Sequence, residues 1–379
     1  MRRIAERTRR AVVAGSLVLL AAAGCALIAW RITYSSVDYS ADAGPAINAL
    51  VHLDFGGFFV HESQMGMLTL LLRWPFAALA NIWGGTQLDQ YRLGLFACLI
   101  AAALIALVLG REMHKRGRSA AAIGMTVGLW FFNPASAQAI NIGHPEEIVG
   151  GALCVLGVLV AGRESPVPGG AALGLALATK QWALAAAPPV LLAARNPLKT
   201  GAVALAVWLP LELPLVLANF DAYTRVGRYG VVMGVPSGLW WPVSPLLPDS
   251  VIVGLARPLV LAAALGVSVL VWRRHGGRTT ESQLALLALV LLLRVLLDPT
   301  GNQYFATPFV MALVAFEGIS SRRLPVVSLA TVVLIGISFR TIRILSWEPA
   351  VTNLFYLAWA LPLALWLWRS AARGVTQQV

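Results

Sequence analysis

The sequence predicts an all-α polytopic membrane protein, a bundle of about 10–12 transmembrane helices. Its composition, its apolar runs and its charge distribution each point to this fold class. Of the 379 residues, 58% are hydrophobic and only 12% are charged, whereas a soluble domain carries about 25% charged residues. A chain this apolar is stable only where lipid, and not water, contacts the outer side chains. We therefore expect a single integral membrane domain over residues 1–379.

Apolar runs long enough to span a bilayer, about twenty residues each, recur along the whole sequence. The first follows the basic segment MRRIAERTRR and is expected to stay uncleaved as a signal anchor. The predicted spans are 11–30, 92–110, 119–134, 147–162, 200–219, 251–272, 281–298, 304–320, 324–342 and 352–369.

Basic residues cluster in the short connectors between these runs, and this bias predicts the topology. Connectors rich in arginine and lysine stay on the cytoplasmic side, so both termini are expected there. The net charge of +12 then reflects this bias and contact with anionic lipid headgroups, and we expect no binding of nucleic acid. The clusters are Arg2–Arg10, Arg111–Arg118, Arg163, Arg195–Lys199, Arg273–Arg278, Arg322–Arg323 and Arg369–Arg373.

Two apolar segments must depart from single crossings if every basic cluster is to be cytoplasmic. Segment 66–83 contains Arg73 and Pro75 and is predicted to be re-entrant or interfacial. It belongs to a first extracytoplasmic region at 31–91 with interfacial or re-entrant helices. Segment 169–195 is predicted to be a hairpin of two short helices with its tip near Lys180, because a polar tip is tolerated where it lines a cavity.

This topology gathers acids, histidines and aromatic residues in the outer loops. The first outer loop holds Asp38 and Asp42, which share one face if residues 38–50 are helical. A carboxylate in a partly desolvated cleft can act as a general base. The alternative is a solvated interfacial loop whose acids cap helices.

The second outer loop contains the motif GHPEE, with His144, Glu146 and Glu147 ahead of an apolar helix. Proline at a helix start and acids in its first turn are ordinary N-terminal signals, which explains much of the motif. A histidine and two acids at a membrane surface also favour a substrate pocket. These residue types can ligate a metal, but their spacing matches no standard metal motif.

Lys180, Gln181 and Trp182 lie at the predicted hairpin tip. A lysine within the membrane is a functional-site hypothesis by default, and a phosphate is its natural partner. The alternative is a lysine side chain that extends to the interface. Because Trp182 follows it, and because a lysine that extends to the interface belongs near a helix end, we favour a donor-phosphate role for Lys180. Gln181 and Trp182 are candidates for the substrate pocket.

Later outer segments add further candidates. Tryptophans at an interface are usually anchors, but they also stack on sugar rings, and the arginines beside them can bind phosphate. Arg294 stands four residues before Asp298, a spacing that predicts an ion pair on one helix face. The candidates are Arg225, Arg228, Arg340 and Arg343 for a donor phosphate, and Trp240, Trp241, Asp298, Asn302 and Tyr304 for the substrate pocket.

Together these features resemble the GT-C superfamily of glycosyltransferases that use polyprenyl-phosphate sugars, most of all the actinobacterial glycosyltransferase family 87 of the alpha-mannosyltransferase type. The resemblance rests on the acid in the first outer loop, the block GGAALGLALATKQWALAAAPPVLLAAR and the late motif DPTGNQYF.

The resemblance implies a multi-pass enzyme of a bacterial plasma membrane with an extracytoplasmic active site. It would transfer mannose, or another hexose or pentose, from a polyprenyl-phosphate donor to a cell-envelope glycan or glycolipid, with inversion at the anomeric centre. Asp38 best matches the position of the catalytic base and Asp42 is second, while Lys180 corresponds to a residue near the donor phosphate. No cofactor is implied, and many members need no metal.

Two other classes of function are compatible with the composition. A lipid or small-molecule transporter or flippase would also contain broken helices and intramembrane charges, but it predicts two halves with related hydropathy, which this sequence lacks. A non-catalytic membrane scaffold predicts that substitution of Asp38 or Lys180 has no effect.

Overall fold

The computed structural model describes residues 2–34, 37–61, 66–220, 234–275 and 279–373, and the ordered elements are helical. The helices are α1 (Arg2–Trp30), α2 (Val37–Ala41), α3 (Ala43–Val51), α4 (Phe55–Val60), α5 (Met67–Ile82), α6 (Gln87–Lys115), α7 (Ala120–Phe131), α8 (Pro134–Ile142), α9 (Glu146–Ala161), α10 (Val167–Leu177), α11 (Ala187–Ala193), α12 (Pro197–Ala218), α13 (Asp249–His275), α14 (Thr280–Leu296), α15 (Thr307–Ser320), α16 (Val326–Leu345) and α17 (Pro349–Arg373). Short 3₁₀ turns occur at Gln181–Ala186, Gly238–Trp240 and Gln303–Ala306.

Each predicted span coincides with one of these helices, which confirms the all-α polytopic fold class. Among the described residues, four helices are long and apolar enough to cross a membrane by length and composition: α6, most of α13, α12 and α17. Four of the predicted spans form helices shorter than about twenty residues: α7 has 12 residues, α9 has 16, α14 has 17 and α15 has 14. Helix α7 ends because Asn133 caps the separate helix α8, accepting a hydrogen bond from the Ser136 N–H at 2.9 Å.

The centre of the bundle consists of α9, α14 and α15, which are apolar on all sides and buried along nearly their whole length. A helix that is hydrophobic all round must be surrounded by other helices or by lipid, and here other helices surround it. By contrast, α12 and α13 expose many leucines. This contrast places α12 and α13 at the lipid-facing periphery.

The two segments predicted to depart from a single membrane crossing, 66–83 and 169–195, meet each other inside the protein. The N–H groups of Gly66 and Leu68, at the start of α5, donate to the carbonyls of Thr179 and Ala178 just after α10, at 2.9 and 3.0 Å. A helix leaves its first N–H groups and last carbonyls without intrahelical partners, and such groups are costly in a membrane. The end of α10 and the start of α5 therefore supply each other's missing hydrogen-bond partners.

Glycine and glutamate complete this junction. A Cβ atom on Gly66 would lie 2.2 Å from the Ala178 carbonyl oxygen, so the close approach requires glycine. The Met67 N–H donates to Glu212 Oε1 of α12 at 2.9 Å. Glu317 plays a similar part for α16, accepting from the N–H groups of Val327 and Ser328 at 3.1 and 2.8 Å. These buried acids therefore stabilise helix starts.

The glycines of α10 allow it to pack closely against α12. A Cβ on Gly170 would lie 2.6 Å from the Thr200 carbonyl oxygen, and one on Gly174 would lie 2.5 Å from the Ala204 carbonyl oxygen. Small residues four apart are the usual means by which helix backbones approach in membranes. This contact fixes the end of α10, and with it the break that precedes Lys180.

We predict that Gly174→Ala destabilises the protein by about 1–3 kcal/mol, because the new methyl group overpacks the contact between α10 and α12. The matched control is Gly124→Ala on α7, where nothing lies within 4 Å of a new Cβ. Alanine should be neutral or stabilising there, since it favours the helix by about 0.5–1 kcal/mol. Thermal unfolding in detergent measures both variants, and equal melting temperatures would contradict the packing assignment.

Candidate active site

Asp38 and Asp42 lie where the first outer loop meets the rest of the bundle. Asp38 is in α2 and Asp42 precedes α3, and the Asp42 N–H donates to the Asp38 carbonyl at 2.8 Å. The two short helices therefore continue one helical path, which meets the condition for a shared face, and both carboxylates face the same set of neighbours. The Asp38 side chain is 50% exposed, whereas Asp42 is more buried.

His144 lies in the tight turn between α8 and α9. Gly143 ends α8 with φ of +100°, a conformation that glycine adopts without strain. The buried ring of His144 then stacks on Tyr304, with 4.7 Å between ring centroids and 6° between planes. Its Nε2 atom lies 3.5 Å from Asp38 Oδ2, and its Nδ1 atom lies 2.7 Å from Glu146 Oε1. His144 thus joins the first and second outer loops.

Lys180 occupies the break after α10, in an extended conformation. Its Nζ atom lies 3.0 Å from Glu146 Oε1 and 3.2 Å from Glu147 Oε1. Both carboxylates come from the first turn of α9 and are fully buried. The ammonium therefore has two buried anionic partners within the protein.

Arg294 pairs with Glu147 and not, as its spacing predicted, with Asp298. Its two terminal nitrogens lie 3.1 and 3.2 Å from the Glu147 carboxylate oxygens, in a bidentate arrangement. The guanidinium carbon also lies 4.6 Å from the centre of the Trp182 ring. The prediction was wrong because Asp298 follows the end of α14 and turns back to accept from Thr300 N–H at 2.8 Å.

These contacts form one charge network: Asp38, His144, Glu146, Lys180, Glu147 and Arg294. Neighbours along it alternate in sign when His144 is protonated. It begins at the half-exposed Asp38 and ends at the buried Arg294. Each buried charge is thereby compensated, which is the condition for placing charges in an apolar interior.

Electrostatic effects differ among the groups at the loop end of the network. The contact with His144 lowers the pKa of Asp38 below its usual range, and the charge of Lys180 adds to this effect. Burial raises the pKa of Asp42, despite the cations nearby. For His144, burial opposes protonation, but Glu146 and Asp38 favour it more strongly and raise the pKa. Asp38 is thus the more exposed and the more readily ionised acid of the pair.

Several predicted site residues lie beside this network. The His144 ring stacks on one face of the Tyr304 ring. The backbone N–H of Tyr304 donates to Gln138 Oε1 at 2.8 Å. Asn302 donates to Thr300 Oγ1 at 3.0 Å, in the turn that holds Asp298. Trp240 is buried and donates to the Leu297 carbonyl at 2.7 Å. The turn between α14 and α15 thus holds a further set of hydrogen-bonded polar groups.

Other predicted residues are not brought to the network. Gln181 and Arg340 are exposed, and Trp241 is half-buried beside Ser244, whose hydroxyl donates to its carbonyl at 2.9 Å. Arg225 and Arg228 lie outside the described residues, as does the side chain of Arg343.

Sequence reasoning missed Arg294 as a member of the site. Its local signal was an arginine inside an apolar helix, which is costly and therefore a functional hypothesis in its own right. Its partner, Glu147, is 147 residues away, so no local spacing could identify the pair. Within the described part of the chain, no group of three or more His, Cys, Asp or Glu residues is arranged to hold a metal ion.

Comparisons with known proteins bear on the fold. No protein-family model matches the sequence, and a search of curated proteins finds no match. Among solved structures, the chain is similar to ArnT from Cupriavidus metallidurans, crystallised in the apo state. The TM-score is 0.51, with 14% identity over 96% of this chain and 76% of that chain. At this identity the similarity establishes a shared membrane fold.

We predict that Arg294→Met destabilises the protein by about 3–5 kcal/mol, because Glu147 loses a buried cation. Adding Glu147→Gln should recover part of this loss, since the uncompensated carboxylate is then removed. The control is Arg163→Ala, at an exposed position, which should change stability by less than about 0.5 kcal/mol. Thermal or denaturant unfolding measures all three, and a double variant less stable than Arg294→Met would contradict the pairing.

Proposed function

We propose that the protein is a GT-C glycosyltransferase that transfers a sugar from a polyprenyl-phosphate donor. The observation that carries the proposal is Asp38, an ionised and half-exposed acid at the open end of a buried charge network. The fold supports it, because the chain is similar to ArnT, a GT-C enzyme that uses a polyprenyl-phosphate sugar. A lipid-linked donor also explains why the site is built among membrane helices.

Asp38 is the proposed general base. In an inverting transfer, a carboxylate takes the proton of the acceptor hydroxyl while the hydroxyl oxygen attacks the anomeric carbon. The base must be ionised and reachable by the acceptor. Asp38 meets both conditions, whereas burial makes Asp42 both harder to ionise and less accessible.

The donor leaves as a phosphate anion, so cations near the leaving oxygen suffice to stabilise the developing charge. Lys180 was the first sequence candidate for this role, but its ammonium already contacts Glu146 and Glu147. We therefore assign Lys180 to holding the two glutamates in place. Arg225, Arg228, Arg340 and Arg343 remain the proposed phosphate ligands.

We place the active site on the extracytoplasmic face of a bacterial plasma membrane, with both termini in the cytoplasm. The support is the segregation of charge, since basic connectors stay on the cytoplasmic side. The resemblance to family 87 favours mannose, or another hexose or pentose, as the sugar. The proposed acceptor is a glycan or glycolipid of the cell envelope, which that face of the membrane meets.

We predict that Asp38→Asn lowers sugar transfer by about 10²–10⁴-fold, because an amide cannot accept the proton. The matched control is Asp54→Asn, in the same loop. Asp54 caps α4 by accepting from Gly57 N–H at 2.8 Å, and asparagine is an equally good cap. The assay uses purified protein in lipid, labelled polyprenyl-phosphate sugars and membrane extract as acceptor.

Asp42→Asn should retain transfer in the same assay. Undiminished turnover by Asp38→Asn and Asp42→Asn alike would remove the catalytic assignment. Movement of the labelled lipid between leaflets by the wild type, without any transfer of sugar, would instead support a flippase.

A further inference from the structure

The two ring nitrogens of His144 face two different carboxylates. Nδ1 lies 2.7 Å from Glu146 Oε1, and Nε2 lies 3.5 Å from Asp38 Oδ2. The side chain is only 4% exposed, and the parallel stacking on Tyr304 fixes the plane of the ring. The ring therefore cannot turn to exchange its partners without breaking this stack.

The contacts of Glu146 determine which ring nitrogen carries the proton in neutral His144. Glu146 Oε1 receives the Lys180 ammonium at 3.0 Å as well as His144 Nδ1. An ionised carboxylate only accepts hydrogen bonds, so Nδ1 must be the donor. Nε2 is then the atom that gains and loses a proton, and it is the atom that faces Asp38.

We propose that His144 accepts, through Nε2, the proton that Asp38 takes from the acceptor hydroxyl. This inference rests on the proposed glycosyltransferase function and deepens it. His144 acts through Asp38 and does not touch the substrate, so it is a positioning residue that also completes the proton path. Glu146 supports it by fixing the Nδ1–H form and by stabilising the imidazolium that results.

The acceptor O–H bond breaks and its proton goes to Asp38, while the oxygen forms a bond to the anomeric carbon of the sugar. The bond between that carbon and the donor's phosphate oxygen breaks, and its electron pair leaves with the phosphate. Asp38 passes the proton to His144 Nε2 and is ionised again. His144 later releases the proton to solvent.

This path requires neutral His144 before each turnover. The charged and titratable groups facing the ring are Asp38 from α2, Asp42 before α3, Glu146 from α9, Lys180 after α10 and Tyr304 before α15. Their combined effect raises the His144 pKa, so a larger fraction is protonated near neutral pH. Transfer should therefore increase as pH rises through the titration of His144.

The first test compares the pH dependence of sugar transfer by the wild type and His144→Gln. We expect His144→Gln to lose at least about ten-fold in rate at neutral pH. The acid limb of its pH–rate profile should shift to a pH about two units lower, from the range of an imidazole to that of a carboxylate. The control is His52→Gln, at an exposed histidine of the same loop, which should keep the wild-type profile.

A purely orienting histidine would give the opposite shift, because its contact lowers the Asp38 pKa and its removal would raise it. An acid limb that moves up, or that stays where it is in the wild type, would overturn the proposal.

The second test does not depend on any substrate. Nuclear magnetic resonance of protein with isotope-labelled histidine, with His144→Gln used for assignment, reports the tautomer and the pKa of His144. We expect the neutral form to carry its proton on Nδ1, and Asp38→Asn to lower the His144 pKa. A proton on Nε2 of the neutral ring, or a His144 pKa unchanged by Asp38→Asn, would overturn the proposed proton transfer from Asp38 to His144 even if the wild type transfers sugar. A wild type that transfers no sugar, but shows the Nδ1–H form and the pKa change, would refute the proposed function and leave the proton coupling between Asp38 and His144 intact.

Discussion

The compensation of charge inside an apolar bundle is the constraint on which the rest of the site depends. Glu146 and Glu147 are fully buried, and an unpaired buried carboxylate is too costly to keep ionised. Lys180 and Arg294 supply the missing cations from the break after α10 and from α14. The pairing therefore holds elements that are remote in sequence at fixed positions around the first turn of α9.

The junction between α5 and α10 makes that pairing possible. Lys180 can reach the two glutamates only because α10 stops at Leu177, and a helix can stop inside a membrane only if its carbonyls find donors. Gly66 and Leu68 provide them. Helix α5 also packs against α3 of the first outer loop, the helix that follows Asp38 and Asp42. Backbone hydrogen bonds between helix ends and the pairing of buried charges thus stabilise the same region.

The sequence alone predicted much of the fold, because spans, breaks and connectors have local signals. The shared face of Asp38 and Asp42 follows from helical spacing, and the break at Lys180 follows from a polar tip between short apolar stretches. The partner of Arg294 could not be predicted in this way, since four-residue spacing favoured Asp298 and Glu147 belongs to a distant helix. The stacking of His144 on Tyr304 likewise depends on the packing of remote turns.

The most direct test of this account is a structure of the protein in a lipid bilayer with a bound polyprenyl-phosphate sugar analogue. We expect the anomeric carbon to face Asp38 across a gap one hydroxyl group wide, about 6 Å, with the phosphate directed away from Glu146 and Glu147. A sugar bound on the side of the basic connectors, or one separated from Asp38 by protein, would contradict the assignment of this surface as the active site.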